Sequence, residues 1–394
     1  MIKDATVAVS ANGKPAVGEL GKPVKSKNRL TGIDALRGLA LCFMFLRHTA
    51  FFVGGPLQAE TYGGQPINLQ SWPHWASGLM ANMNTPTFWL LFGVSVALLA
   101  AGRRKQGASE WEITRYLLIR AGVLLTLDLT ISEWFWDVPA PQVHYTHVLL
   151  SIAVSMAILS VARRLPLRVF IGLIVVLLLG YQAFLPYVAA NFSNTLNPVT
   201  TLLFGYSTQF RPNLEFALFG WFPVAGLGFI LGQYVASPVL KRPRTWLAIS
   251  AGLFALWFGL RLWGGFGDLT PRGPDDPLVY FFIMSKTPLA LTYLCFYLGI
   301  SALIMAGFVA LGDRLNGRPF IWLINLGQVS LFAFVAHIVI YGLLSYVAKQ
   351  FDWSLPRIAV SYGVWLAGLA LHFPLAYHYN RLRRSNPNSL LRYL

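Results

Sequence analysis

The chain has 394 residues, of which 56% are hydrophobic, 14% aromatic and only 12% charged. An ordinary soluble domain carries about 25% charged residues, so this composition excludes a water-solvated globule and points to a polytopic membrane protein. The formal charge of +16 is spread in short basic clusters between apolar runs. That spacing argues against nucleic acid as a partner and for charge-directed orientation in a membrane.

Residues 1–34 are polar and basic and lack the apolar core of a cleavable signal. They are expected to form a largely disordered cytoplasmic segment, with the first apolar run retained as an anchor. Ten apolar stretches then have the length of membrane helices: 35–54, 84–101, 114–132, 144–162, 168–190, 214–236, 245–264, 288–310, 320–346 and 357–380. The expected fold is all-α, a polytopic bundle of about ten transmembrane helices occupying 35–380, followed by a basic cytoplasmic tail, 381–394. Segment 71–79 is too short to span, and its Trp72 and Trp75 suit an interfacial or re-entrant helix.

Numbering the connections alternately places the amino-terminal lysines, Arg103-Arg104-Lys105, Arg163-Arg164, Lys241-Arg242, Arg314 and Arg381 to Arg384 on one side. The positive-inside bias makes that side the cytoplasm, with both termini there and a cytoplasmic (inner) membrane as the location. The longer loops, 55–83, 191–213 and 265–287, fall on the opposite side, where loops of this length are often functional.

Ionisable side chains within a span are expensive and usually face a bundle interior or a water-filled path. His48 stands about 20 Å from the cytoplasmic end of its span, in a core about 30 Å thick. Asp128 is at similar depth and His337 slightly further out. His147 and Glu215 sit near the outer ends of their spans. A lone histidine can equally bond a neighbouring helix, and Asp128 can pair structurally with Arg120, Arg261 or a histidine. His372 and His378 read as interfacial residues, Gly228 and Gly232 as a helix-packing pair, and Cys42 and Cys295 as small core residues. His144 and His147 lie one helical turn apart, but no third ligand is near in sequence, so no metal is assigned. No phosphate-binding loop or nucleophile elbow is present.

The stretch Arg29-Leu-Thr-Gly-Ile-Asp34-Ala-Leu-Arg37-Gly38, followed by Met44 and His48, resembles the opening of the transmembrane acyltransferase superfamily. Within it, the chain is most similar to the heparan-α-glucosaminide N-acetyltransferase-like family and its bacterial branch. Asn84-Thr-Pro86-Thr-Phe88 with Gly93-Val-Ser95, Tyr145-Thr-His147, Ser285-Lys286-Thr-Pro288, and Gly327-Gln-Val-Ser-Leu331 running to His337 are similar to further elements of that family, in order.

The resemblance implies transfer of an acetyl group from cytoplasmic acetyl-CoA to an extracytoplasmic sugar or other hydroxyl or amine acceptor. His48, eleven residues after Arg37, stands where sugar O-acylating relatives place an active-site histidine. His74 is the candidate where the glucosaminide enzyme uses a histidine after its first span, and the two remain alternatives. Arg47 departs from relatives that often carry an acid before the histidine. A histidine can act as the base for thioester transfer, or accept the acyl group transiently, and Asp128 can orient such an imidazole. Arg37, Arg103 and Arg104 are expected to meet the coenzyme phosphates, with Arg163 and Arg164 also at that end. His147, Lys286 and His337 are expected on the acceptor side. The partners are then a small-molecule or glycan acceptor and membrane lipid, with a homodimer among the admissible assemblies. A multi-pass transporter using intramembrane His, Asp and Glu for proton coupling is the alternative, although no internal repeat is evident. A non-catalytic scaffold would explain the composition but not the titratable cluster.

Overall fold

The computed structural model describes residues 31–389 apart from 56, 58, 63–70, 133–134, 136–144, 147, 191–201, 205–212, 215, 271–272, 274–275, 352–353 and 387–388. The expectations placed on residues 1–30, His144, His147 and Glu215 lie outside the described residues, while residues 31–34 of the expected disordered segment instead form the first turn of a helix.

Twelve helices are found among the described residues. They are α1 (Thr31–Val53), α2 (Trp72–Asn82), α3 (Asn84–Lys105), α4 (Glu110–Leu127), α5 (Val148–Ala162), α6 (Leu167–Ala190), α7 (Leu218–Tyr234), α8 (Pro243–Trp263), α9 (Leu291–Leu311), α10 (Arg318–Gln328), α11 (Ser330–Lys349) and α12 (Arg357–Ser385). Seven helical segments are long and apolar enough to cross a membrane, with α2 and α3 counted as one segment, Trp72–Lys105. Helices α5 and α7 are apolar but shorter, and α4 carries Glu110, Glu112, Arg115 and Arg120. The protein is an all-α, multi-pass membrane bundle. Among the described residues, strand structure is confined to two short parallel ladders, β1 (Glu60–Tyr62) with β4 (Met284–Thr287) and β2 (Tyr145–Thr146) with β3 (Asn213–Leu214).

Helix α1 is the centre of the bundle and packs against α2, α3, α9, α10, α11 and α12. Its closest neighbour is α10: a Cβ on Gly38 would overlap the Leu323 carbonyl oxygen, and one on Gly327 would overlap that of Asp34. The stretch expected as a single ninth span divides just past this contact. Val329 leaves helical geometry (φ −116°, ψ 37°), so α10 ends at Gln328 and α11 starts at Ser330. A break of this kind orphans carbonyl groups. It persists in a membrane protein only where protein or a polar cavity satisfies them. Here Arg37 donates to the Gly327 carbonyl and Arg383 to that of Gln328, both at 3.2 Å.

The segment expected as interfacial becomes α2, opened by Pro73 in its first turn, with Trp72 69% exposed. Residues Gly228 and Gly232 lie on the α3–α7 crossing, as the packing reading expects. There the backbones meet so closely that a Cβ on Gly228 would overlap the Leu90 carbonyl. Cys42 and Cys295 are buried free thiols.

Enlarging Gly228 must separate α7 from α3, an overpacking penalty of about 1–3 kcal/mol. Gly228→Leu is expected to lower the unfolding temperature of the detergent-solubilised protein. Gly252→Leu, on a face of α8 with nothing within 4 Å, should leave it close to wild type. Equal melting of the two variants would contradict the crossing.

Candidate functional site

A cavity of about 500 Å³ runs beside α1 and is walled by α3, α4, α5 and the α10–α11 junction. Arg37, Ser95, Gln328 and Arg383 line one end; His48, Arg47, Asn84, Thr85, Phe216 and Lys286 line the other. The rise of an α-helix puts Arg37 and His48 about 16 Å apart along α1. One continuous space therefore joins a basic mouth to the histidine.

His48 is part-buried, and its Nδ1 lies 2.7 Å from Nε2 of His337. The rings stack at 5.0 Å between centroids. His337 is fully buried, stacked on Phe45 at 4.9 Å, and its Nδ1 bonds the Phe334 carbonyl. A carbonyl oxygen only accepts, so that Nδ1 carries a proton. In the neutral ring Nε2 of His337 is then an acceptor and receives the hydrogen bond donated by His48 Nδ1–H. This leaves the lone pair of His48 on Nε2. His337, expected to touch substrate, does not line the cavity; it fixes the tautomer of the residue that does.

At the same end, Arg47 is ion-paired with Glu60 and donates to Asn82 Oδ1 at 2.6 Å. Asn82 in turn donates to Glu60 and to Tyr297 Oη at 3.3 Å, and Tyr293 donates to the Asn82 carbonyl at 3.2 Å. Glu60, on β1, thus balances the charge of the arginine directly before the histidine. Strand β1 pairs with β4 in the register Thr61 with Ser285. The same ladder carries Lys286, which is 4% exposed and holds its Nζ 5.3 Å from the Phe216 ring centroid.

At the mouth, Arg37 donates to Ser95 Oγ at 2.7 Å and pairs with Asp34 at 3.4 Å. Gln328 is the hub beside it, accepting from Asn380 at 2.6 Å and Arg384 at 2.8 Å and donating to Asp34 at 3.3 Å. Arg103 and Arg104 are elsewhere: Arg103 lies 3.6 Å over the Tyr116 ring, and Arg104 pairs with Glu110 at 2.5 Å. Neither lines the cavity. Arg163 pairs with Glu110, and both Arg163 and Arg164 donate to Thr114, so the two act as ties between α5 and α4.

His74, on α2, bonds Ser71 Oγ at 2.7 Å and does not line the cavity. Asp128 is fully buried at the start of a π turn, Asp128–Ser132, that packs against α11, the helix of His337. Arg261 pairs at 2.6 Å with Asp268 rather than serving Asp128. His372, read as interfacial, is instead 1% exposed, stacked on Tyr341 and bonded to the Gly368 carbonyl at 2.8 Å. Its helix turns that face inward against α1 and α11. The sequence did not mark Glu60, Asn82 and Gln328 as site residues because isolated polar residues carry no spacing signal, and Arg383 stood within a basic cluster that reads as a topology signal. Gln328 alone sits within a stretch quoted for the family resemblance.

Residues 29–261 match the family described as heparan-alpha-glucosaminide N-acetyltransferase, catalytic, and residues 146–384 match the family described as OpgC protein. Each match covers more than half of the chain. No curated protein matches it.

Glu110 lies before the apolar part of α4 and is half-exposed. Its hydrogen bonds from Arg104, then Arg163, hold its carboxyl at about 2 instead of 4.5. A lowered folded-state value means stability that is present above about pH 4.5 and lost as the pH falls toward 2. Solvent screening limits it to about 1 kcal/mol or less. Thermal unfolding between about pH 5 and pH 3 should show a shallower acid loss for Glu110→Gln than for wild type; parallel curves would mean that the ion pairs contribute nothing.

Proposed function

From the premise that this chain belongs to the heparan-alpha-glucosaminide N-acetyltransferase family of membrane acyltransferases, we propose that it transfers an acetyl group from acetyl-CoA, entering at the cytoplasmic mouth, to an amine or hydroxyl on a sugar or similar acceptor presented from the other side. The observation that carries this reading is the cavity whose one end is Arg37 and whose other end is His48, with the unprotonated Nε2 of His48 set by His337.

The acceptor heteroatom attacks the thioester carbonyl carbon while its proton passes to His48 Nε2. The C–S bond then breaks, and the imidazolium returns the proton to the leaving thiolate. While charged, the His48 ring keeps donating its Nδ1–H to Nε2 of His337, which stabilises the imidazolium in the role an orienting acid has in a triad. Arg47, its charge balanced by Glu60, and Lys286 can donate toward the oxygen that gains negative charge. Asp128 is proposed to support the π turn against α11 and so the placement of His337. His74 stands outside the cavity, which favours His48 as the base. The reading gives Arg37, rather than Arg103 or Arg104, a contact with the coenzyme at the mouth. It places both termini in the cytoplasm, supported by the one-sided basic clusters.

With labelled acetyl-CoA and purified protein, His48→Ala should lower kcat about 10²–10⁴-fold, and His74→Ala much less. His337→Ala should lower kcat with little change in KM and displace the acid limb of the pH profile. His337→Gln, whose amide oxygen can accept the same hydrogen bond, should recover part of the loss. Solute counterflow without thioester consumption would replace this reading by a carrier. A second measurement tests orientation. The native cysteines are buried, so Trp72→Cys should be the site labelled by an impermeant thiol reagent applied outside intact cells. Labelling only after permeabilisation would invert the topology.

A further inference from the structure

Arg120 lines the cavity from α4, on the same helical face as Leu117 and Leu124. Its Nε is covered and has no hydrogen-bond partner. Among the described residues no carboxylate or carbonyl accepts from its guanidinium. This separates it from the other arginines around it. Arg104 and Arg163 are held by Glu110, and Arg37 and Arg383 by the carbonyls at the α10–α11 break. A guanidinium keeps its charge at any accessible pH, and an unpaired charge within a bundle is expensive and marks a path for a charged ligand.

Depth identifies which part of a ligand would meet it. Helices α3 and α4 run in opposite directions, and Arg103 lies over Tyr116 at 3.6 Å. One turn further along each helix brings Leu99 level with Arg120, and a second brings Ser95, the partner of Arg37, level with Leu124. The Arg104–Glu110 pair at the base of the same hairpin brings Arg120 level with Ser95 itself, so Arg120 stands within about one turn of the Arg37–Ser95 contact, about 16–20 Å from His48 along the cavity. A coenzyme thioester carries its reacting carbon at the end of a long flexible arm and its phosphates at the other end. With the carbonyl at His48, a cation at this depth meets phosphate and not the acyl group.

We propose that Arg120 is a binding residue for the phosphate end of the acyl donor, its planar N–H fork engaging phosphate oxygens that displace cavity water. The inference rests on the acyltransferase reading above and adds to it a residue outside the motifs of the family resemblance.

The test uses the full-length protein in phospholipid-free detergent, with free coenzyme A binding followed by calorimetry and acetyl transfer followed with two donors, acetyl-CoA and the phosphate-free S-acetylpantetheine. Arg120→Gln should weaken coenzyme A binding about ten- to hundredfold, the range of one charge-assisted contact. It should also collapse the preference for acetyl-CoA over S-acetylpantetheine, measured as the ratio of their KM values. Arg120→Lys, which keeps the charge and protects the fold, should lie between Gln and wild type. A Gln variant that binds coenzyme A like wild type, or that loses both donors in equal proportion, overturns the assignment while leaving the acyltransferase reading intact. A wild-type protein that neither binds coenzyme A nor consumes acetyl-CoA overturns both.

Discussion

The hydrogen bond between His48 and His337 is the interaction on which the site depends, because it decides which imidazole nitrogen faces the cavity. It forms only if α1 and α11 lie at one particular height relative to each other. That height is set by backbone contact, at Gly38 and Gly327, between α1 and α10. The break at Val329 then redirects the chain into α11, so that His337 returns to α1 three turns above the contact. The same break exposes the carbonyls that hold Arg37 and Arg383 at the mouth. One interruption in a helix thus positions both ends of the cavity.

Charge is distributed by function. Many basic residues lie in the connections, and several act there as ties, such as Arg163 and Arg164 between α5 and α4. Within the bundle, Arg120 apart, the described arginines are satisfied locally. Arg261 is fully buried, paired with Asp268, and donates to the carbonyls of Thr270, Tyr280 and Phe281. It thereby staples Asp268, Thr270, Tyr280 and Phe281 to the end of α8, a few residues before β4 and Lys286. Such a pair is weak evidence for stability, since desolvation offsets its attraction. Its use is to hold a segment in one place.

Around the histidine, tertiary contacts supply what the local sequence lacks. Arg47 follows α1 into the cavity wall, and a compensating acid arrives from Glu60, thirteen residues on, held by Asn82. The short β1–β4 ladder ties this network to Lys286 from a segment more than two hundred residues away. Main-chain hydrogen bonds suit this task because they fix spacing without adding further charge to a site of low dielectric.

Composition alone determined the membrane class, and each of the ten stretches marked by hydrophobic length holds a helix among the described residues, because lipid demands long apolar runs whose backbone groups bond internally. Depth arithmetic on α1 also picked out His48, since rise per residue is a local property. The break of the ninth stretch was illegible, because Gly327-Gln328-Val329 reads as continuous apolar helix and is interrupted only by the way α10 meets α1. Arg103 and Arg104 carried the spacing of topology signals, and only packing showed them engaged by Tyr116 and Glu110. The pairing of His48 with His337, the inward burial of His372 and the mouth position of Arg383 join residues far apart in the chain. Periodicity and hydropathy report what each segment does with lipid. Which side chains meet inside the bundle is decided by how helices of similar apolarity choose one another, and that choice is made by backbone proximity and polar complementarity that no single segment contains.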